Sequence, residues 1–173
     1  WNEAYGTWEF STGAFPDPGA MVDELHQMGF EVMLWVCPFV SPDTRIGREL
    51  ADKGLLIRER SGEVAIKKWW NGYSAVLDLS HPEAAAWMRG RLDSLMDRYG
   101  VDGFKFDAGD PYFYNAAHDV THAPITDSLP LGPVWGRNMP ITNSVPALPQ
   151  PTFPWCSGFM INATNGGSRV WPL

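Results

Sequence analysis

The chain has 173 residues, 45% hydrophobic and 13% aromatic with nine Trp, enough for one domain with a sizeable core. Thirteen basic against twenty acidic residues leave a formal charge of −7, which argues against a nucleic acid or an anionic membrane surface as partner. No apolar run approaches the roughly 18 residues of a spanning helix, and two cysteines, Cys37 and Cys156, make no disulfide framework.

In chain order the elements alternate. Asp17-Pro18 reads as a helix start, because the carboxylate caps free N–H groups and Pro suits the first turn. Met21, Leu25 and Met28 follow at helical spacing, and Gly29 ends the run. Glu31–Val40 is a β-branched and aromatic run of strand length. Asp43–Lys53 is a second helix, with Ile46 and Leu50 inward. The charged stretch Leu55–Ile66 contains Ser61-Gly62 and reads as a short hairpin or excursion. Ala75–Leu79 is a short buried strand. Pro82 opens the clearest helix, in which Ala85, Met88, Leu92, Leu95 and Tyr99 keep one face until Gly100 closes it. Val101–Asp107 is the next strand. Strands alternating with helices imply parallel βαβ units. About three units stand here against the roughly 250 residues of a typical (β/α)8 barrel, so periodicity alone allows an open α/β sheet or a partial (β/α)8 TIM barrel.

Charge is distributed unevenly. All twenty Asp and Glu fall within residues 1–127, whereas residues 128–173 carry only Arg137 and Arg169 together with eight of the fifteen prolines. A folded surface needs interspersed charge, and regular elements exclude frequent Pro. The sequence therefore divides into a body, 1–127, and a tail, 128–173, of different character.

Polar and aromatic residues collect at the C-terminal ends of the expected strands, the edge where parallel α/β folds build their ligand sites. Trp35 and Cys37-Pro38-Phe39 end the first strand. Asp78 ends the second, preceded by Lys68-Trp69-Trp70-Asn71-Gly72. Lys105, Asp107 and Asp110 end the third. Trp beside carboxylates suits a sugar, whose C–H face packs on indole while its hydroxyls meet the charges. Alternation puts Lys105 and Asp107 on one face, and an ammonium beside a carboxylate suits a nucleophile. Competing roles are core packing for Trp35 and Trp87, a self-satisfied ion pair for Lys105 and Asp107, helix capping for Asp78, and a turn for Asp110. His26, His81, His118 and His122 show no metal spacing with the cysteines, and no phosphate-binding Gly-rich loop occurs.

The segments WNEAYGTWEF, FPDP, MGF, EVMLWVCPFV, WWNGYSAVLDLSHP and YGVDGFKFDAGD, in this order, resemble the catalytic barrel of family-31 glycoside hydrolases over residues 1–127. The resemblance is nearest to the branch with α-galactosidase-like enzymes. It implies a retaining α-glycosidase acting on terminal α-linked hexose, galactoside or glucoside, with a carbohydrate substrate and neither metal nor organic cofactor. It makes Asp107 the catalytic nucleophile and Lys105 its substrate-binding neighbour. Trp35, Trp70 and Asn71 become substrate contacts, and Trp1 and Glu3 match a loop after an earlier barrel strand; Asp78, from its strand-end position, is a further candidate substrate contact.

A retaining glycosidase needs a second carboxyl group about 5–5.5 Å from the first. Members of the family place it downstream, after a segment like YNEFR, and this chain has no acidic residue after Asp127. Read one nucleotide earlier, the codons of Asn138-Met139-Pro140 give Tyr or His and then a fixed Ala. Those of Phe159-Met160-Ile161 give Tyr or His and then a fixed Asp. Allowed codons extend these to YNEFR and to an HDK aspartate. A single-nucleotide shift near residues 124–129 is therefore expected, leaving 128–173 out of frame or disordered and this chain without its acid/base. A spliced Pro-rich extension is the rival origin of the tail, and a non-catalytic sugar-binding protein the rival function.

Overall fold

The computed structural model describes residues 1, 4–108, 113–115 and 117–123, and the backbone of 159–163. Helix α1 (Pro18–Gln27) starts as its sequence implies: Asp17 is the N-cap, accepting from the Ala20 N–H at 2.9 Å, and Pro18 occupies the first turn. Its inward residue differs from the expected set. Val22 is the fully buried one, whereas Met28 lies past the helix end and is exposed.

The expected single strand Glu31–Val40 is two. Strand β1 (Phe30–Val36) and β2 (Phe39–Val40) are separated at Cys37-Pro38. Proline has no N–H for a ladder, and the Pro38 carbonyl accepts instead from Leu77 N at 2.8 Å. Helix α2 (Arg45–Asp52) follows with Thr44 as N-cap and Ile46 and Leu50 buried, as its spacing predicts.

Residues 55–66 make the expected short hairpin: Arg58 bridges Val64 antiparallel, and Glu59 N donates to Glu63 O at 2.8 Å around Ser61-Gly62. Short β3 (Arg58–Glu59) leads to β4 (Ile66–Trp69) and β5 (Gly72–Val76), and β5 runs antiparallel to both β4 and β2. The Ala75–Leu79 segment is thus no strand of a parallel βα unit. It belongs to a separate antiparallel sheet of order β2-β5-β4.

Helix α3 (Pro82–Tyr99) matches its expected ends. The His81 side chain caps it by accepting from Glu83 N. Gly100, with φ +70°, closes it by donating to Met96 O at 2.9 Å, a left-handed turn suited to Gly. Met88, Leu92 and Leu95 are buried as expected, with Ala84 in place of Ala85 and Tyr99 only partly buried, each large apolar side chain contributing roughly 1.5–3 kcal/mol by burial. The helix delivers the chain to β6 (Gly103–Phe106), parallel to β1. One βαβ crossover is therefore formed among the described residues, where about three units had been expected, and the barrel is not closed. Asp102 braces it: its Oδ2 accepts from Val32 N at 2.7 Å and meets His26 Nε2 at 2.8 Å, tying α1 to β1.

Two further strands complete the described chain. Strand β7 (Asp119–Val120) pairs with β3, helped by buried Asp119, which takes Lys67 Nζ on Oδ1 and Asn115 N on Oδ2. Strand β8 (Phe159–Ala163) lies antiparallel along the other edge of β1, from Phe30 opposite Ala163 to Leu34 opposite Phe159. This short piece of the tail is paired. Residues 124–158 and 164–173, on which the rest of the expected frame shift falls, lie outside the described residues.

Candidate active site

The parallel register of β1 and β6 sets Trp35 opposite Lys105 and Val36 opposite Phe106, and Asp107 N extends the ladder by donating to Val36 O at 2.9 Å. Trp35, Lys105 and Asp107 thus meet at the C-terminal edge of the pair. The indole Nε1 of Trp35 donates to Asp107 Oδ2 at 2.7 Å, and Ala108 N donates to Oδ1 at 2.8 Å. Lys105 Nζ stands 3.9 Å from Oδ2, an ion-pair distance beyond hydrogen bonding. Among the described residues the ammonium meets no hydrogen-bond acceptor, and its side chain is 43% exposed, so its three donors face outward beside the carboxylate.

Ala108 is buried with φ +58°, a left-handed conformation that costs a non-glycine residue about 1–3 kcal/mol.

An aromatic wall rises from Trp35. Its ring meets Tyr5 edge-on at 6.2 Å and Trp70 at 6.1 Å. Trp70 and Asn71 form the two-residue turn between β4 and β5, closed by Gly72 with φ +107°. Both are exposed, Trp70 by 64%. The neighbouring Trp69 meets the Trp70 ring edge-on at 4.7 Å from the inner side. It is buried, stacked on Phe39 at 4.2 Å, and donates to Ser74 Oγ at 3.1 Å. Of the adjacent pair, one indole is core and the other is exposed.

Beneath the wall lie two groups with raised proton affinity. Burial pushes the Cys37 thiol well above its ordinary range, a backbone hydrogen bond at Phe39 pulls the other way, and the Asp107 charge adds to the rise. Tyr5 is pushed up to about 12, chiefly by burial and then by Cys37. Tyr5 was not anticipated, because it precedes every strand and carries no periodicity. Its place in WNEAYGTWEF, among conspicuous aromatics, was the available signal.

The other expected residues sit elsewhere. Asp78 is buried, its Oδ1 accepting from Ser80 N and Oγ and its Oδ2 from His122 N at 2.7 Å. Its carboxylate ties the 121–123 loop to the start of α3. Trp87 is half-buried against the core with Arg91 over its ring. Trp1 packs edge-on against Trp8 at 5.4 Å. Glu3 and Asp110 lie outside the described residues. Among the described residues no group of His, Cys, Asp and Glu could hold a metal ion, and no helix is long and apolar enough to cross a membrane.

Parallel strands joined through a helix, with a carboxylate and an aromatic wall at their C-terminal edge, form the edge at which parallel α/β folds, TIM barrels among them, bind ligands. The chain belongs to glycosyl hydrolase family 31, whose TIM-barrel domain matches residues 1–139. The match reaches twelve residues beyond the change in composition at 127. Over 135 residues the chain is 42% identical to the myogenesis-regulating glycosidase of Mus musculus, covering 78% of this chain and 18% of that protein. Over 104 residues it is 31% identical to alpha-xylosidase XylQ of Lactiplantibacillus pentosus, covering 60% of this chain and 14% of the relative. Among solved structures it resembles a family-31 alpha-xylosidase from a soil metagenome, complexed with xylose. That likeness has a TM-score of 0.61 at 29% identity and covers 69% of this chain and 18% of the other. The chain thus spans less than a fifth of the length of these relatives.

Proposed function

We propose that this chain carries the nucleophile side of a retaining α-glycosidase site, with Asp107 as nucleophile. The observation that carries the reading is the setting of Asp107: two N–H donors fix its carboxylate at the strand edge, with an outward ammonium and an exposed indole beside it. A terminal α-linked hexose packs its C–H face on Trp70 and takes hydrogen bonds from Lys105 and Asn71. An Asp107 oxygen attacks the anomeric carbon as the glycosidic C–O bond breaks, giving a covalent glycosyl-enzyme. A second carboxyl group protonates the leaving oxygen and then activates the water that releases the sugar. Galactoside and glucoside are the substrates favoured by the sequence resemblance. Asp78 is assigned to holding the loop rather than the sugar, since its oxygens are engaged internally.

On this reading residues 1–173 have no acid/base and no turnover of their own, because 128–173 contain no acidic residue. A one-base shift near residues 124–129 accounts for that loss. Its support is the fixed letters recovered in the alternative frame and the antiparallel seat of β8, foreign to an all-parallel barrel.

A fluoride-activated glycoside deactivated at its ring tests the nucleophile directly, because fluoride leaves without protonation. The expected result is one label, mapped by peptide mass spectrometry to Asp107 and absent in Asp107→Asn, with no turnover of an unactivated α-glycoside. A label elsewhere, or none, sinks the assignment. The absent acid also favours a second reading, a sugar-binding protein without catalysis. Sugar binding through Trp70 with Asp107 unlabelled is the outcome that supports it.

A further inference from the structure

We infer that Trp35 is the positioning residue of the nucleophile, its only N–H spent on Asp107 Oδ2, and is not a hydrogen-bond donor to the sugar. The inference rests on the reading of Asp107 as nucleophile. A carboxylate at a strand end rotates easily, because its terminal torsion is broad rather than staggered. Here the side chain is 36% exposed, so packing alone does not hold its plane. Ala108 N–H fixes Oδ1 from the backbone, and the Trp35 indole fixes Oδ2 from the neighbouring strand. Two donors on two oxygens determine the carboxylate plane, which one donor or a loose ammonium does not. Lys105 cannot replace the indole: it stands 3.9 Å away on a flexible stem.

Trp35 is itself held. Its backbone lies in the β1–β6 ladder, and its ring is gripped between Tyr5 and Trp70. An indole has one donor and no acceptor. With that donor committed, Trp35 offers a sugar only its ring surface, and specificity for hydroxyl groups falls to Lys105 and Asn71.

Two measurements on the full 173-residue chain test this. In 1H–15N spectra the indole signal lost in Trp35→Phe identifies Trp35. In Asp107→Ala, which leaves Trp35 in place, that signal is expected to move upfield as the carboxylate acceptor disappears. An unchanged signal overturns the contact and the role with it. The second measurement is inactivation by the activated fluoride. Misalignment of a reacting group by about 1 Å costs on the order of a hundredfold in rate. Trp35→Phe, which keeps an aromatic ring, is therefore expected to slow the maximal labelling rate roughly ten- to hundred-fold while the half-saturating concentration stays put. A raised half-saturating concentration with an unchanged rate would show Trp35 to be a sugar contact instead. A wild-type chain that is not labelled removes the nucleophile and therefore the role of Trp35, even where the indole signal does respond to Asp107→Ala. Failure of the reading and failure of the inference thus give different patterns.

Discussion

At the scale of single residues, the floor of the site is a pair of acids kept protonated. Tyr5 in the folded chain titrates at about 12, above the ordinary phenol value of 10.0. The unfolded chain therefore releases this proton first. Between about pH 10 and 12 the folded state binds more protons than the unfolded one, so the stability due to Tyr5 is intact below pH 10 and declines as pH rises through that window. Cys37 acts in the same direction, beginning above the ordinary thiol range, because burial raises it too. Tyr5→Phe removes the phenol contribution while keeping the ring against Trp69 at 4.9 Å. Denaturant unfolding followed from pH 9 upward should show a shallower loss of stability in the variant than in the parent. Parallel slopes would mean that Tyr5 titrates normally in the folded chain.

Among the elements, α2 shows how a backbone contact outweighs helix propensity. A Cβ on Gly47 would stand 2.3 Å from the Ser41 carbonyl oxygen and 3.0 Å from Pro42 Cα, both backbone atoms that cannot step aside. Gly90, inside α3, has open space instead. Ala favours a helix over Gly by about 1 kcal/mol, so Gly90→Ala should stabilise by roughly that amount. Gly47→Ala should destabilise by about 1–3 kcal/mol, because overpacking prevails. Opposite shifts of the urea midpoint check the pair. The same division between local and distant causes separates what could be read from sequence. The ends of α3 were legible, since Pro82 and Gly100 act on their own turns. So was the shared face of Lys105 and Asp107, which alternation sets. The pairing of β5 was not, because an apolar run such as Ala75–Leu79 looks alike whether its neighbours are parallel or antiparallel. The inward turn of Asp78 was hidden for a related reason: its partner His122 lies 44 residues away, and nothing local marks it. The Trp35–Asp107 hydrogen bond likewise exists only because two strands 72 residues apart are in register.

For the molecule as a whole, the decisive feature is the edge of β1. One side carries β6 in parallel, as a barrel requires, and the other carries β8 antiparallel, from a tail that holds two charges in 46 positions. A strand edge left open is a template for pairing with whatever extended segment is at hand. On the frame-shift reading β8 is such an opportunist, seated where a parallel neighbour belongs. The two origins of the tail make different demands on the gene. Sequencing the source DNA and independent transcripts across codons 120–173 is expected to reveal a one-base correction that encodes YNEFR and then the HDK aspartate. The corrected gene then supplies two carboxyl groups, and its product should hydrolyse an α-glycoside in a reaction abolished by Asp107→Asn. Confirmation of the present frame leaves residues 128–173 without an acidic residue. In that case residues 128–173 supply no carboxyl group to act with Asp107, and sugar binding on the exposed Trp70 wall becomes the reading to test.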